Sequence, residues 1–556
     1  MSDTIIIIDN SLRNEDIFHS ENFHETTKHS EISIQMPGHR LDFGNKPSPF
    51  KFYKSLPSIP LPTEFPKPDT VALEAISAAG LIKSGSYEID LGVLAEILFF
   101  TGGVTREIKY GNDRFFMRAA SATGALYPIE LYIICKDLGG LKSGVYHFNP
   151  GDFSLTCLRE GDYRFYLSEA AVDYATISNS PAIIVFSSIA WRNAWKYRDR
   201  SYRHWFWDSG VMAANLLSTT NSIGINLNLR LGFIDDEVNK LICLDDRHEA
   251  AIALASLSIG LSNTSSSVKK TAEKGEIPLL THETLALSPK GEVEYDSIWK
   301  MHEASKLNST HEVTTWVNTD FKIEQNRTTQ LSILESIPLL SANYSDSLSL
   351  SKTILQRGSS RKFSHNSISF AQLSNILHSS SGTLPLDFTK GSDISTAEIY
   401  FIVNDVEGLP RGSYFFNRIS KSLDLLKKDV HRDISGYLCL WQSLFSDASV
   451  VFFLMTPLEQ VLETYGNRGY RAAQFEASIV AGKIYLASYA QGIGASGSTF
   501  FDDAVTEFFS PHAEDKSTMI AVGVGVPPYK SKSGRILAGR WTRDQLVTYS
   551  DSHSAY

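Results

Sequence analysis

Arg357, Ser359 and Arg361 stand at alternate positions in RGSSRKF, just ahead of an apolar segment. Two guanidinium groups and a hydroxyl are what a phosphate dianion asks of a protein, because a desolvated dianion must be met by cations and donors. Lys530, Lys532 and Arg535 follow VGVGVPPY and add positive charge. The turn GASGS supplies Gly494, Ser496, Gly497 and Ser498. Such small residues let a flat ring approach the backbone closely. No hydrolytic triad, nucleophile elbow, Walker loop, dinucleotide G-x-G-x-x-G or metal-binding helix is visible, so no metal is expected. Cys135, Cys157, Cys243 and Cys439 are scattered without a C-x-x-C pair. That spacing argues against a disulfide or metal framework and fits a reducing cytoplasm.

The chain contains itself twice. LKSGVYHFNP from Leu141 lines up with LPRGSYFFNR from Leu409, and the same offset brings Tyr197, Tyr202 and Arg203 onto Tyr465, Tyr470 and Arg471. Asp208 falls on Glu476 and Gly224 on Gly492. A repeat of this length is a duplicated domain rather than a solenoid unit. The 556 residues exceed what one hydrophobic core holds, and two domains agree with that. Apolar content of 42% and charged content of 21% belong to a globular protein, and a net charge of -10 argues against a nucleic-acid surface. The apolar run Ile5–Ile8 is too short for a signal peptide or membrane span and reads as a strand.

ELYIIC, EIYFIV, AIIVFSS and SVVFFLM read as strands, being short, apolar and rich in β-branched or aromatic residues. GVYHF and GSYFF read as hairpin partners. Apolar residues recur at helical spacing from Tyr202 to Gly224 and from Tyr470 to Gly492, which predicts two long buried helices ended by glycine. The organisation expected is an extension at 1–70, a first domain at 71–262, a linker and wrapping segment at 263–347, a second domain at 348–540 and a tail at 541–556. Each domain reads as α+β, and the long helices are placed between the two.

Four segments, RAASATGALYPIELY, LKSGVYHFNP, KYRDRSYRHWFWDSG and RGSSRKFS, resemble the nitroreductase-like flavoproteins of the SagB type. FHETTK near the N-terminus is similar to that branch too. The resemblance implies FMN as cofactor, held at the interface of two α+β subunits that share each site. A duplicated chain is then its own dimer, an intramolecular pseudo-dimer of two tandem nitroreductase-like domains. It implies that the Arg357–Arg361 motif lies in a helix and grips the phosphate, with Lys532 and Arg535 in support. It also implies that Arg118, Ser121, Thr123 and Gly124 hold the flavin ring from the other subunit, beside Gly494, Gly497 and Ser498.

Each copy has lost what the other keeps. Copy one carries Ala78, Gly80 and Ile82 where copy two carries the phosphate motif. Copy two carries Ser392 and Thr396 where copy one has Gly124 and Pro128. The resemblance implies that the retained halves join across the interface into one composite site and that the other site lacks both.

Azoline dehydrogenases of the SagB branch carry a Lys-Tyr pair, matched here by Lys196 and Tyr197. Free lysine and tyrosine have pKa values near 10.4 and 10, so either needs tuning to act as a base: a phenolate stabilised by the ammonium, or a lysine lowered by burial. Copy two keeps only the tyrosine, Tyr465, after Thr464, and Tyr465 stays open as the base. Arg203 and Arg471 read as structural, pairing with Asp208 and Glu476. The implied reaction is FMN-dependent oxidation of an azoline ring in a peptide or carrier-bound substrate, with oxygen regenerating the flavin and a cyclodehydratase or synthetase as partner. Two alternatives stand beside it: an NAD(P)H-dependent nitroreductase-type reductase and a non-catalytic scaffold subunit.

Overall fold

In a computed structural model, residues 13–36, 39–78, 88–111, 113–244, 247–259, 276–322, 333–391, 394–530 and 532–553 are described. The run Ile5–Ile8, the connector after Ile259, Gly80, Ile82 and Ser392 lie outside them.

The two copies form two seven-stranded antiparallel sheets of the same order. The first runs Ser58–Pro60, Ser154–Glu160, Gly144–Asn149, Ile129–Cys135, Ala182–Ile189, Glu249–Ser258, Asn226–Arg230. The second runs Glu335–Pro338, Ser422–Lys428, Gly412–Asn417, Glu398–Val403, Val450–Thr456, Ser517–Gly525, Gly494–Ser498. All four expected strand segments and both hairpins are present, and the α+β tandem is borne out. The central strands are buried along their whole length, so both sheet faces are covered, and this is why they read as continuous apolar runs.

The long helices span Ser201–Ile223 and Asn467–Ala490. Gly224 ends the first in the left-handed conformation at φ 75°. The helices lie side by side in one direction, each against its equivalent. A Cβ on Gly210 would come within 2.6 Å of Ser478, and one on Gly482 within 2.7 Å of Ala214. These glycines therefore set the close approach of the copies, and the pseudo-twofold axis runs along the helix pair. Phe23 sits on that axis, edge-on to Tyr202 at 5.5 Å and to Tyr470 at 6.0 Å.

Arms from both copies clasp the start of this pair. Arg203 donates to Thr27 Oγ1 and His24 O and pairs with Asp502 at 2.7 Å. Arg471 repeats the arrangement with Ser305 Oγ, His302 O and Asp235 at 2.6 Å. FHETTK at 23–28 and MHEASK at 301–306 are therefore one element, duplicated with the domains. Each arm is first pinned to the other copy: His29 N donates to Asp502, and Leu307 N to Asp235. Each then returns to the edge of its own sheet, where Ser58–Pro60 pairs with 154–156 and Glu335–Pro338 with 422–425. The expected pairing of Arg203 with Asp208 and of Arg471 with Glu476 does not form. The arginines point to the arms, while Asp208 accepts from Thr123 and Glu476 from Ser395 and Thr396, in the loops before Ile129–Cys135 and Glu398–Val403.

Candidate functional site

The helix Leu350–Gln356 stops where RGSSRKF begins, so that motif is a loop and not the expected helix. The Arg357 guanidinium crosses to copy one and donates to the carbonyls of Ala119 at 2.9 Å and Arg118 at 2.7 Å. The phosphate-type motif of copy two is thus locked onto the SATGALYP loop of copy one. Ser360 N donates to Ala495 O at 2.9 Å, and a Cβ on Gly494 would strike Ser360 Oγ at 2.2 Å. A side chain there would have to displace the Ser360 hydroxyl, because the motif packs directly on the GASGS strand. Tyr485 gathers both pieces: its hydroxyl accepts from Gly497 N and bonds Ser359. Ser498 Oγ accepts from Gln442 Nε2 at 2.9 Å.

On the copy-one side, Asp208 shapes the loop. Its Oδ1 accepts from Thr123 N at 2.8 Å and Thr123 Oγ1 at 2.7 Å, and its Oδ2 from Asn193 Nδ2 at 3.2 Å. Gly124 follows at φ +63°, and a Cβ on it would lie 2.7 Å from the Tyr197 hydroxyl. Tyr197 therefore stands over Gly124 only because that residue is glycine. The Lys196 ammonium lies 5.1 Å from the Tyr197 ring centroid. Burial, and then the charge of Arg361, lower the Lys196 pKa. Burial and then Asp208 push Tyr197 up to about 12, against the charge of Arg361. The charge of Arg361 from copy two thus bears on the Lys196-Tyr197 pair of copy one. Ser121 is half-buried in the same loop, while Gly124, Lys196, Arg361 and Gly497 are exposed. The exposed Gly124 and Gly497 beside the exposed Lys196 and Arg361 make a cationic edge suited to a flat, anionic ligand.

Some expected residues turn elsewhere. The Arg118 guanidinium points into copy one, donating to Ile129 O and Pro49 O and covering Tyr127 at 4.8 Å. Only its carbonyl reaches the interface. Lys532 and Arg535 run along the strand Val104–Tyr110, where Arg535 N donates to Thr105 O at 2.8 Å, with both side chains exposed. Tyr465 belongs to the other cleft.

That second cleft is closed by the chain itself. The Tyr465 hydroxyl donates to Phe388 O at 2.8 Å, and the Tyr465 ring is packed by Trp316 at 5.4 Å, Phe388 at 5.8 Å and Phe321 at 6.1 Å. At the strand matching GASGS, Leu229 N donates to Pro385 O, and Asp387 caps Leu231 N and Gly232 N. Backbone donors that a ligand would need are used up within the protein.

Asp208 is the site residue that the sequence reading misassigned. Burial raises its pKa to about 7, against the hydrogen bonds from Thr123 and Asn193. Asn193 Oδ1 is buried without a partner, so a turned amide can accept from a protonated Asp208. The folded state holds this proton more tightly than the unfolded chain, so the contribution of Asp208 to stability falls as pH rises from about 4 to 7, by at most about 1.4 kcal/mol per pH unit. Asp208→Asn should remove that slope. In urea unfolding it should gain on the wild type at pH 8 relative to pH 5; a constant difference between the two pH values would show that Asp208 does not titrate.

The nitroreductase family profile matches residues 354–526. A protein of Methanocaldococcus jannaschii named as a candidate nitroreductase, MJ1384, is 29% identical over 157 residues, 28% of this chain and 76% of that protein. The microcin B17-processing protein McbC of Escherichia coli is 29% identical over 137 residues, 23% of this chain and about half (49%) of McbC. A crystal structure of a protein from Anabaena variabilis, also titled as a candidate nitroreductase, superposes with a TM-score of 0.72 at 24% identity, covering 92% of this chain and 99% of that one. Residues 354–526 are a nitroreductase-family domain, and the whole chain takes the fold of two such domains in tandem.

Proposed function

We propose that this protein is an FMN-dependent oxidoreductase that oxidises azoline rings to azoles in a peptide or carrier-bound natural product. The observation that carries the reading is the Lys196-Tyr197 pair of copy one, with Lys196 exposed, on which the charge of Arg361 of copy two bears. The residues present fit FMN. Gly124 and Gly497 are exposed beside the half-buried Ser359, and the exposed cations Arg361 and Lys196 suit an anionic, flat group. When bound, FMN supplies the hydride acceptor. Azoline oxidation removes one proton and one hydride from the ring, so the protein must take the proton. The lowered pKa of Lys196 makes its Nζ a better acceptor than the phenol of Tyr197, whose proton is held more tightly. Of the two tunings open to the pair, these shifts favour the lysine. The Tyr197 ring lies beside the Lys196 side chain and limits where its amine can stand. The likeness to McbC supports a peptide substrate and a cyclodehydratase or synthetase partner, and four free cysteines support a reducing, cytoplasmic setting.

Flavin released from denatured protein should approach one mole per mole of chain, because the second cleft is filled by Trp316, Phe321 and Asp387. Two moles would refute the composite site. Arg361→Ala should weaken FMN binding by about 1.5–3 kcal/mol, the usual worth of a hydrogen bond to a charged group. Equilibrium dialysis of the refolded holoprotein measures it. Anaerobic bleaching of the flavin by an azoline-bearing peptide but not by NADH supports the dehydrogenase; bleaching by NADH alone supports a reductase.

A further inference from the structure

We infer that the basic edge running outward from Arg361 is a docking surface for an acidic polypeptide segment. Three stretches distant in sequence meet there. Arg535 N donates to Thr105 O at 2.8 Å, Gly534 N to Leu355 O at 2.7 Å and Arg361 N to the Tyr529 hydroxyl at 2.9 Å. The Arg106 guanidinium donates to Lys532 O. The strap from Tyr529 to Arg535 is thus held between the strand Val104–Tyr110 and the loop that follows Gln356. A Cβ on Gly534 would lie 2.8 Å from Thr105 O and 2.9 Å from Leu355 O, so the strap sits tight against both.

The stretches 104–118, 357–366 and 529–540 hold eleven lysines and arginines against two acids, in a chain whose net charge is -10. Lys109, Arg361, Lys362, Lys530, Lys532 and Arg535 are exposed. Among the described residues the ion pair within these stretches is that of Arg114 with Glu107 at 3.2 Å, which leaves those six cations unmatched. Like charges held together without counter-charges repel, and an acidic partner removes that cost. Ile108, Tyr110 and Tyr529 stand among them, 42%, 79% and 42% exposed, and offer apolar contact between the charges. A nucleic acid or an anionic bilayer would extend past this edge onto a remainder that is strongly acidic, where it would be repelled. A short acidic segment stays within about 8 Å of the cations, the reach of a charge at physiological salt. Arg361 ends the edge at the cleft, where its charge bears on Lys196 and Tyr197. A segment seated along the strap therefore leads its neighbouring residues to that pair.

This inference goes beyond the azoline reading, and its test needs no turnover, so either can fail alone. A fluorescein-labelled peptide of alternating glutamate and alanine is titrated into flavin-loaded full-length protein, with anisotropy and flavin absorbance read together. It should bind at least tenfold more tightly than the matching glutamine-alanine peptide, and less tightly as salt rises. The double variant Lys109→Glu with Lys532→Glu should weaken it at least tenfold. Lys421→Glu with Lys428→Glu makes the same change of charge at the two ends of the strand Ser422–Lys428, across the second sheet from Ser517–Gly525, and should leave binding as it was. Equal affinity for the two peptides, no binding at millimolar peptide, equal loss in the two double variants, or tighter binding of an oligouridylate of equal charge would each overturn the docking surface. Loss of flavin from Lys109→Glu with Lys532→Glu would return these cations to the cofactor and overturn it as well.

Discussion

Lys196→Ala should keep its flavin spectrum and lose turnover by about 10²–10⁴-fold, the usual contribution of a positioned general base. The loss should lie in the chemical step, since Lys196 is exposed at the cleft and holds no structural ion pair among the described residues. The wild-type rate should rise with pH as Lys196 gives up its proton, with a midpoint below the ordinary lysine value because burial and Arg361 both disfavour the ammonium. Tyr197→Phe keeps the ring face and should cost less than Lys196→Ala. Tyr465→Phe should leave turnover unchanged, because Tyr465 is sealed in the other cleft under Trp316 and Phe321. A dead Tyr465→Phe with an active Lys196→Ala would move the base to copy two.

Asp235→Ala should destabilise the protein by about 3–5 kcal/mol, the cost of removing one member of a buried charge cluster. Asp235 is fully buried and pairs with Arg468 and Arg471, each at 2.6 Å, while also accepting from Leu307 N. Its loss strands two guanidinium groups in the interior. Denaturant unfolding followed by tryptophan fluorescence measures the effect. Asp235→Asn keeps hydrogen-bond acceptance without the charge and should fall between the two. The equivalent residue, Asp502, binds Arg200 and Arg203, which outweigh burial and hold its pKa well below the usual carboxylate range.

The core of the fold was legible because its signals are local and repeated. Apolar β-branched runs name the central strands, and Gly224 marks the end of the first long helix. The arms were not recognised as duplicated, because FHETTK and MHEASK match at an offset ten residues longer than the domain cores do. An ungapped comparison at the core offset passes over them. The partners of Arg203 and Arg471 were misread for a related reason. Arg203 and Asp208 stand five residues apart, about 140° around the helix, so they face different neighbours, and the guanidinium satisfies arm groups that sequence does not bring near. The composite cleft was half legible. Reciprocal losses pointed to which halves would face each other, and the cross-copy bonds of Arg357 agree with that pairing. Nothing in composition announces that Trp316 and Phe321 close the second cleft, since an aromatic residue in a polar arm reads as an isolated surface side chain. The hairpin of Val104–Tyr110 and Asp113–Arg118 also went unread, its residues being mixed charged and apolar without strict alternation.

In a symmetric homodimer every substitution is made twice, so no residue can improve one cleft without altering the other. Joining the two copies in one chain, with exchanged arms still clasped at Phe23, lifts that restriction. Position 124 can stay glycine while position 392 becomes serine, and a lysine can stand at 196 opposite a threonine at 464. The fused chain can therefore keep one half as a working surface and turn the other into ballast, without having to find a partner that carries the complementary changes.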